Sequence, residues 1–201
     1  MLGRVAGWPA LAFVAAASSV LLGAVLFMHY SWDVPMGTLT QDPLFHQPVH
    51  VGFLSQAGIL MWAAAAGVCF AVAAVLGERG ESRDLQRFFL AAGALTLVLC
   101  LDDAFMLHDV VLPDHLGVPE EIVYAGYVGL MLLFLGVFYK RILTTRYLVL
   151  VLAFAFFALS ILADMRELPG LDPFLLEDGA KAIGIVSWLA YFFQEGKAAL
   201  R

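Results

Sequence analysis

Apolar residues occupy six long blocks, at about 5–28, 51–76, 88–110, 119–139, 147–167 and 175–194. A helix rises about 1.5 Å per residue, so crossing a hydrocarbon layer of about 30 Å takes about 20 residues. Each block is long enough. The pattern predicts an all-α fold, a polytopic bundle of six transmembrane helices in a single domain spanning residues 1–201. The connections are short except for His29 to His50, whose Pro, Gly, Asp and Gln content predicts an irregular surface loop. The first block is longer than the apolar core of a secretory signal, about 7–15 residues, and is expected to be a retained helix.

Composition narrows the class. The chain is 62% apolar and 14% charged, with a mean hydropathy of +0.89. Soluble domains lie near 45–50% apolar and about 25% charged. A soluble globular domain, a disordered tail and a nucleic-acid binder are therefore excluded.

Charge supplies an orientation. Nine of the eleven basic residues fall on one side: Arg4, Arg79, Arg83, Arg87, Lys140, Arg141, Arg146, Lys197 and Arg201. Only Arg166 and Lys181 fall elsewhere. The positive-inside rule then puts both termini in the cytoplasm, which an even number of spans requires. The expected location is the plasma membrane, the inner membrane in a bacterium, with the lipid bilayer as the main partner.

The net charge of −6 is unevenly placed. Glu78, Glu81, Asp84 and Glu195 lie inside, and the other thirteen acids lie toward the outer face with all five histidines. Asp102 and Asp103 are the deepest, about 10 Å below the outer interface by helical rise. A charge at a helix centre costs roughly 2.5–3.5 kcal/mol to insert, so such acids need partners or water. Helical spacing groups Asp102, Phe105, Met106 and Asp109, with His108 at the edge of that stripe. It also groups Glu120, Tyr124 and Tyr127, then Ser160, Asp164 and Glu167, then Glu177, Lys181, Gly184, Trp188 and Tyr191. Convergence of these four stripes, with Ser55 from the second helix, predicts a polar pocket open to the periplasm or exterior.

Carboxylates and imidazoles from several helices are common metal ligands in bundles. The expected ligands are Asp102, His108, Asp109, Asp164 and Glu167, and a carboxylate-rich set suits divalent Zn, Fe or Mn. Glu177 would act as a base or further ligand, and Lys181 would orient an acid or stabilise negative charge. Such a site would serve a metal-dependent enzyme acting on a lipid or other apolar substrate. A second expectation is structural: a non-catalytic subunit or scaffold in which a buried Lys181–acid pair fixes packing, its partner another membrane protein or a second copy. The third is a carrier of protons or cations, against which the inner halves of the helices lack acids and imidazoles. His46 and His50 of HQPVH are secondary metal candidates. Cys69 and Cys100 lie inside spans and read as packing residues, and the AAAAG run 63–67 reads as a close helix contact.

Span-embedded Asp, His and Ser resemble those of the alkaline ceramidase and adiponectin-receptor superfamily, whose membrane hydrolases hold zinc through histidines. The last helix, LLEDGAKAIGIVSWLAYFF, lacks the paired histidines that family carries there. No residue roles are carried across.

Overall fold

The computed structural model describes residues 8–36, 47, 48, 50–165 and 173–201. The described residues are helical throughout apart from short connections, with no strand. They divide into two units, Met1–Val51 and Gly52–Arg201.

The first unit contains α1, Trp8–Ser31. Beyond its end Asp33 adopts a left-handed conformation (φ 55), and the backbone folds back so that His29 Nδ1 lies 2.8 Å from the Val34 carbonyl oxygen.

The second unit contains α2 (Phe53–Glu78), α3 (Arg83–Phe105), a π-helical segment (Leu107–His115), α4 (Glu120–Ile142), α5 (Tyr147–Met165) and α6 (Pro173–Ala199). Helix α2 stops at a left-handed Gly80 (φ 67), which lets the Glu81 N–H reach the Leu76 carbonyl at 3.0 Å. Helix α4 follows a turn at Gly117 (φ 65) and Pro119. Among the described residues three helices are long and apolar enough to cross a bilayer: α2, α3 and Glu121–Ile142 of α4. The apolar runs Leu22–Ser31 of α1 and Tyr147–Ala163 of α5 are shorter. Among the described residues the helix ends lie within about three residues of the sequence-based blocks, except that the last helix runs five residues further, to Ala199, and the third is offset at both ends.

There the expected helix 88–110 breaks. Met106 sits in the left-handed region (φ 48), and the chain continues as a π-helix, with the Val111 N–H bonded to the Met106 carbonyl at 3.1 Å. The expected stripe of Asp102, Phe105, Met106 and Asp109 is therefore not a helical face. Phe105 is exposed, and Asp102 is buried.

Helices α2, α3, α5 and α6 pack closely, through the pairs α2–α3, α2–α6 and α5–α6. Ala65, Cys69 and Ala73, four residues apart on α2, are fully buried and let a neighbour approach. Only Ala65 and Ala66 of the AAAAG run are buried, so the contact face runs along the helix rather than through that run. Both cysteines are free and buried. At the centre is Trp188, fully buried, ringed by Trp62, Phe134, Phe154, Phe157 and Phe192 at centroid distances of 6.0, 6.4, 5.8, 6.3 and 5.0 Å. Its indole N–H donates to Thr96 Oγ1 at 2.9 Å, and that hydroxyl donates onward to the Ala92 carbonyl. A buried indole N–H left without an acceptor would cost about 1–3 kcal/mol, so this bond is what lets a tryptophan sit there. Exposed Leu133 and Val137 on α4 and Leu148 on α5 suit contact with acyl chains.

Candidate functional site

The site is built where α3 ends. Asp102 and Asp103 are adjacent on α3, so their side chains leave the axis about 100° apart and reach different neighbours. Asp102, 4% exposed, points toward the π-helical segment and α4. Its Oδ1 accepts from the Tyr127 hydroxyl at 2.6 Å and from the His108 backbone N–H at 3.0 Å. Its Oδ2 lies 2.6 Å from His108 Nδ1. Asp103 points toward α2 and α6. Its Oδ1 lies 2.6 Å from Lys181 Nζ, and its Oδ2 accepts from the Trp62 indole N–H at 2.9 Å. Both acids are thus compensated, each by a different set of donors.

The break at Met106 brings His108 back onto Asp102. In a continuing α-helix residues six apart stand about 120° apart around the axis and about 9 Å along it, and their side chains would not meet. With the left-handed residue and the wider turn, His108 is buried and its ring packs against Tyr124 at 5.2 Å. Its Nε2 lies 3.1 Å from Asp109 Oδ1, and the Asp109 side chain is half exposed. Each ring nitrogen therefore faces a carboxylate oxygen, and both contacts are hydrogen bonds only when both nitrogens carry a proton.

These groups border a cavity of about 340 Å³. Helix α3 and the π-helical segment supply Asp102, Asp103, Met106, His108 and Asp109, α4 supplies Tyr124 and Tyr127, and α6 supplies Glu177, Asp178 and Lys181. Ser55 and Trp62 come from α2. Part of each expected stripe of the third, fourth and sixth helices lines this one cavity, namely Asp102, Met106 and Asp109, Tyr124 and Tyr127, and Glu177 and Lys181, with Ser55 among them. The fifth helix contributes Phe157 and Ile161 instead, and Ser160 is buried outside the cavity wall. Of the remaining expected ligands, the Asp164 side chain, Glu167 and His46 lie outside the described residues. His50, exposed, belongs to the first unit.

Among the described residues no three His, Cys, Asp or Glu side chains come together in a way that could hold a metal ion. Asp102 serves His108 and Tyr127, and Asp103 serves Lys181 and Trp62, so these carboxylates act as partners of neighbouring side chains. Three participants carried weak sequence signals. Asp103 is adjacent to an expected ligand but off its stripe. Trp62 lies seven residues from Ser55, on the same face of α2. Tyr127 marked the fourth stripe without an assigned role.

The chain belongs to the family defined by a domain of unknown function, DUF8692, whose profile matches residues 7–194. No curated protein and no solved structure matches it.

Proposed function

We propose that this chain is an integral membrane protein whose cavity binds a small amphipathic molecule and whose His108, positioned by Asp102, exchanges a proton with it. The observation that carries the reading is the buried 2.6 Å contact between Asp102 Oδ2 and His108 Nδ1 at the cavity wall. A carboxylate on one ring nitrogen fixes that proton and directs the other nitrogen outward for general acid–base work. Asp109, half exposed on Nε2, is the partner a substrate would displace. Tyr127 holds Asp102 in place, and the Lys181–Asp103 pair sets the charge beside the reacting group. A left-handed Met106 and a π-helical turn beside the cavity fit this reading, because strained backbone and π-helical turns concentrate at functional sites. In the proposed orientation the chain lies in the plasma membrane, the inner membrane in a bacterium. Both termini are cytoplasmic, and the cavity faces the other side.

The test is ¹⁵N-histidine NMR on the full chain in nanodiscs, paired with diethylpyrocarbonate labelling. Nδ1 of His108 is expected to be protonated and hydrogen-bonded, Asp102→Asn to abolish that signature, and Nε2 to react from the aqueous side. A ring insensitive to Asp102→Asn, or one that stays unlabelled while exposed His115 reacts, refutes the reading. A divalent Zn, Fe or Mn ion would meet His108 Nε2 and Asp109 at the cavity mouth and take its remaining ligands from water or substrate. Metal content before and after chelation, in the native chain and in His108→Ala, tests that version.

A second reading rests on the 2.6 Å Lys181–Asp103 pair, which joins α3 to α6 and, through Trp62, to α2. In it the buried charges specify how the helices of a scaffold or subunit pack, and the partner is another membrane protein or a second copy.

A further inference from the structure

The cavity is graded along the bundle. On α2 its lining runs from Ser55 to Trp62, and on α4 from Tyr124 to Met131. Each pair is seven residues apart, about 10 Å along the axis. Helices α2 and α4 enter the bundle from the end at which α3 leaves it. At that end the walls are Asp109, Glu177 and Asp178, and at the far end they are Leu99, Met131 and Phe157. Polarity therefore falls over about two helical turns, as it does along a lipid between headgroup and chain.

The charge around the cavity is negative on balance. Five carboxylates border the cavity (Asp102, Asp103, Asp109, Glu177 and Asp178) against one ammonium and one imidazole. Lys181, the cation an anionic headgroup would need, is held by Asp103 at 2.6 Å. The aromatic walls Trp62, Tyr124 and Tyr127 offer π faces and edges that attract cations. The volume, about 340 Å³, is at the low end for small-molecule pockets and suits one chain with a small head. Within this unit α4 and α5 are joined by a short turn yet make at most marginal contact, while Met131 and Ile161 from these two helices both border the cavity.

We infer that the cavity receives a single-chain amphiphile bearing a protonated amine. Its head lies among Asp109, Glu177 and Asp178, and its chain lies toward Met131 and Phe157, reaching the bilayer between α4 and α5. This names the ligand class for the cavity of the proton-transfer reading, and rests on that reading for the cavity's purpose but not for its occupancy.

The test is photo-crosslinking of the full chain in phosphatidylcholine nanodiscs. The probes are a long-chain alkylamine with a mid-chain diazirine and the matching fatty acid and alcohol, with adducts mapped by mass spectrometry. The amine is expected to label α4 and α5 residues of the cavity saturably, and excess dodecylamine to compete. Glu177→Gln with Asp178→Asn should lower amine labelling about five- to tenfold, as loss of charge contacts at a hydrated mouth implies, and leave alcohol labelling unchanged. Met131→Trp, which fills the apolar end, should abolish labelling, and its melting temperature reports whether it folds. Equal saturable labelling by acid and amine overturns the headgroup assignment. Non-saturable adducts spread over Leu132, Leu133 and Val137 overturn the site. Saturable amine labelling in a chain whose His108 ring proves insensitive to Asp102→Asn separates a failure of proton transfer from a failure of binding.

Discussion

Removing one member of the Lys181–Asp103 pair should hurt more than removing the other, and the structure says which. Lys181→Met leaves Asp103, whose side chain is 10% exposed, with a single donor, the Trp62 indole. Stranding one charge of a fully buried pair costs about 3–5 kcal/mol. The Lys181 side chain is 35% exposed, so cavity water screens the pair and the expected cost falls to about 2 kcal/mol. Asp103→Asn keeps an oxygen for the Trp62 N–H, and the freed ammonium hydrates in the cavity, so that loss should be about 1 kcal/mol. The double variant carries neither charge and should lie within about 1 kcal/mol of the native chain, a coupling of about 2 kcal/mol. Unfolding by SDS titration in mixed micelles, followed by circular dichroism, measures all four corners of the cycle. Additive losses, or an Asp103→Asn cost equal to that of Lys181→Met, would refute the argument that the pair is a buried, coupled unit.

Thr96→Val leaves the Trp188 indole N–H without its acceptor and should cost about 1–3 kcal/mol in the same titration, with little change in ligand binding. Gly184→Ala would place a methyl 2.5 Å from the Phe157 ring, so it should cost about 1–3 kcal/mol and also reduce amine crosslinking, because Phe157 borders the cavity. Met106→Val should be destabilising by more than about 1 kcal/mol, since a β-branched residue is strained at φ 48, whereas Met106→Gly should be close to neutral. Equal melting temperatures for these two variants would argue against the left-handed turn. Tyr127→Phe removes one of three donors to Asp102 and should cost about 1 kcal/mol while leaving the histidine NMR signature of the Asp102 contact in place.

Much of this geometry was legible in the chain. Apolar run length marked the helices, and the 3.6-residue period brought Asp102, Tyr127 and Lys181 onto inward faces, because a charge in an apolar segment has few other places to go. Three things were not legible. The turn at Met106 has no glycine or proline at the break, and a methionine at positive φ gives no local signal, so the third helix was expected to run on past Phe105. The pairing of acids with donors depends on about 100° of rotation between neighbouring residues and on which helices stand adjacent, and a single helical wheel does not contain the second of these. On the fifth helix the polar residues begin at Ser160, while the cavity takes Phe157 and Ile161 from a neighbouring face. Six apolar blocks also outnumber the three described helices that are long and apolar enough to cross a bilayer. Hydropathy summed over a block does not fix where a helix starts and stops.

The aromatic ring around Trp188 has an electrical consequence. Trp188, Phe134 and Phe192 are buried, and the hydroxyl among them, Thr96, is bonded in both directions. This layer stands between the cavity and the Arg79–Leu200 end of the bundle. In the proton-transfer reading, a proton taken up by His108 would therefore leave by the mouth through which it came. In the proposed orientation that mouth spans about a third of the hydrocarbon thickness, so each proton crosses only that share of the field. A full crossing is worth about 2.3 kcal/mol per 100 mV, which makes the share about 0.8 kcal/mol. A potential of 100 mV would then shift the proton occupancy of His108 about fourfold, with no net charge carried across the membrane. In that reading the membrane serves the site as a solvent, and the voltage tunes its protonation without driving a current.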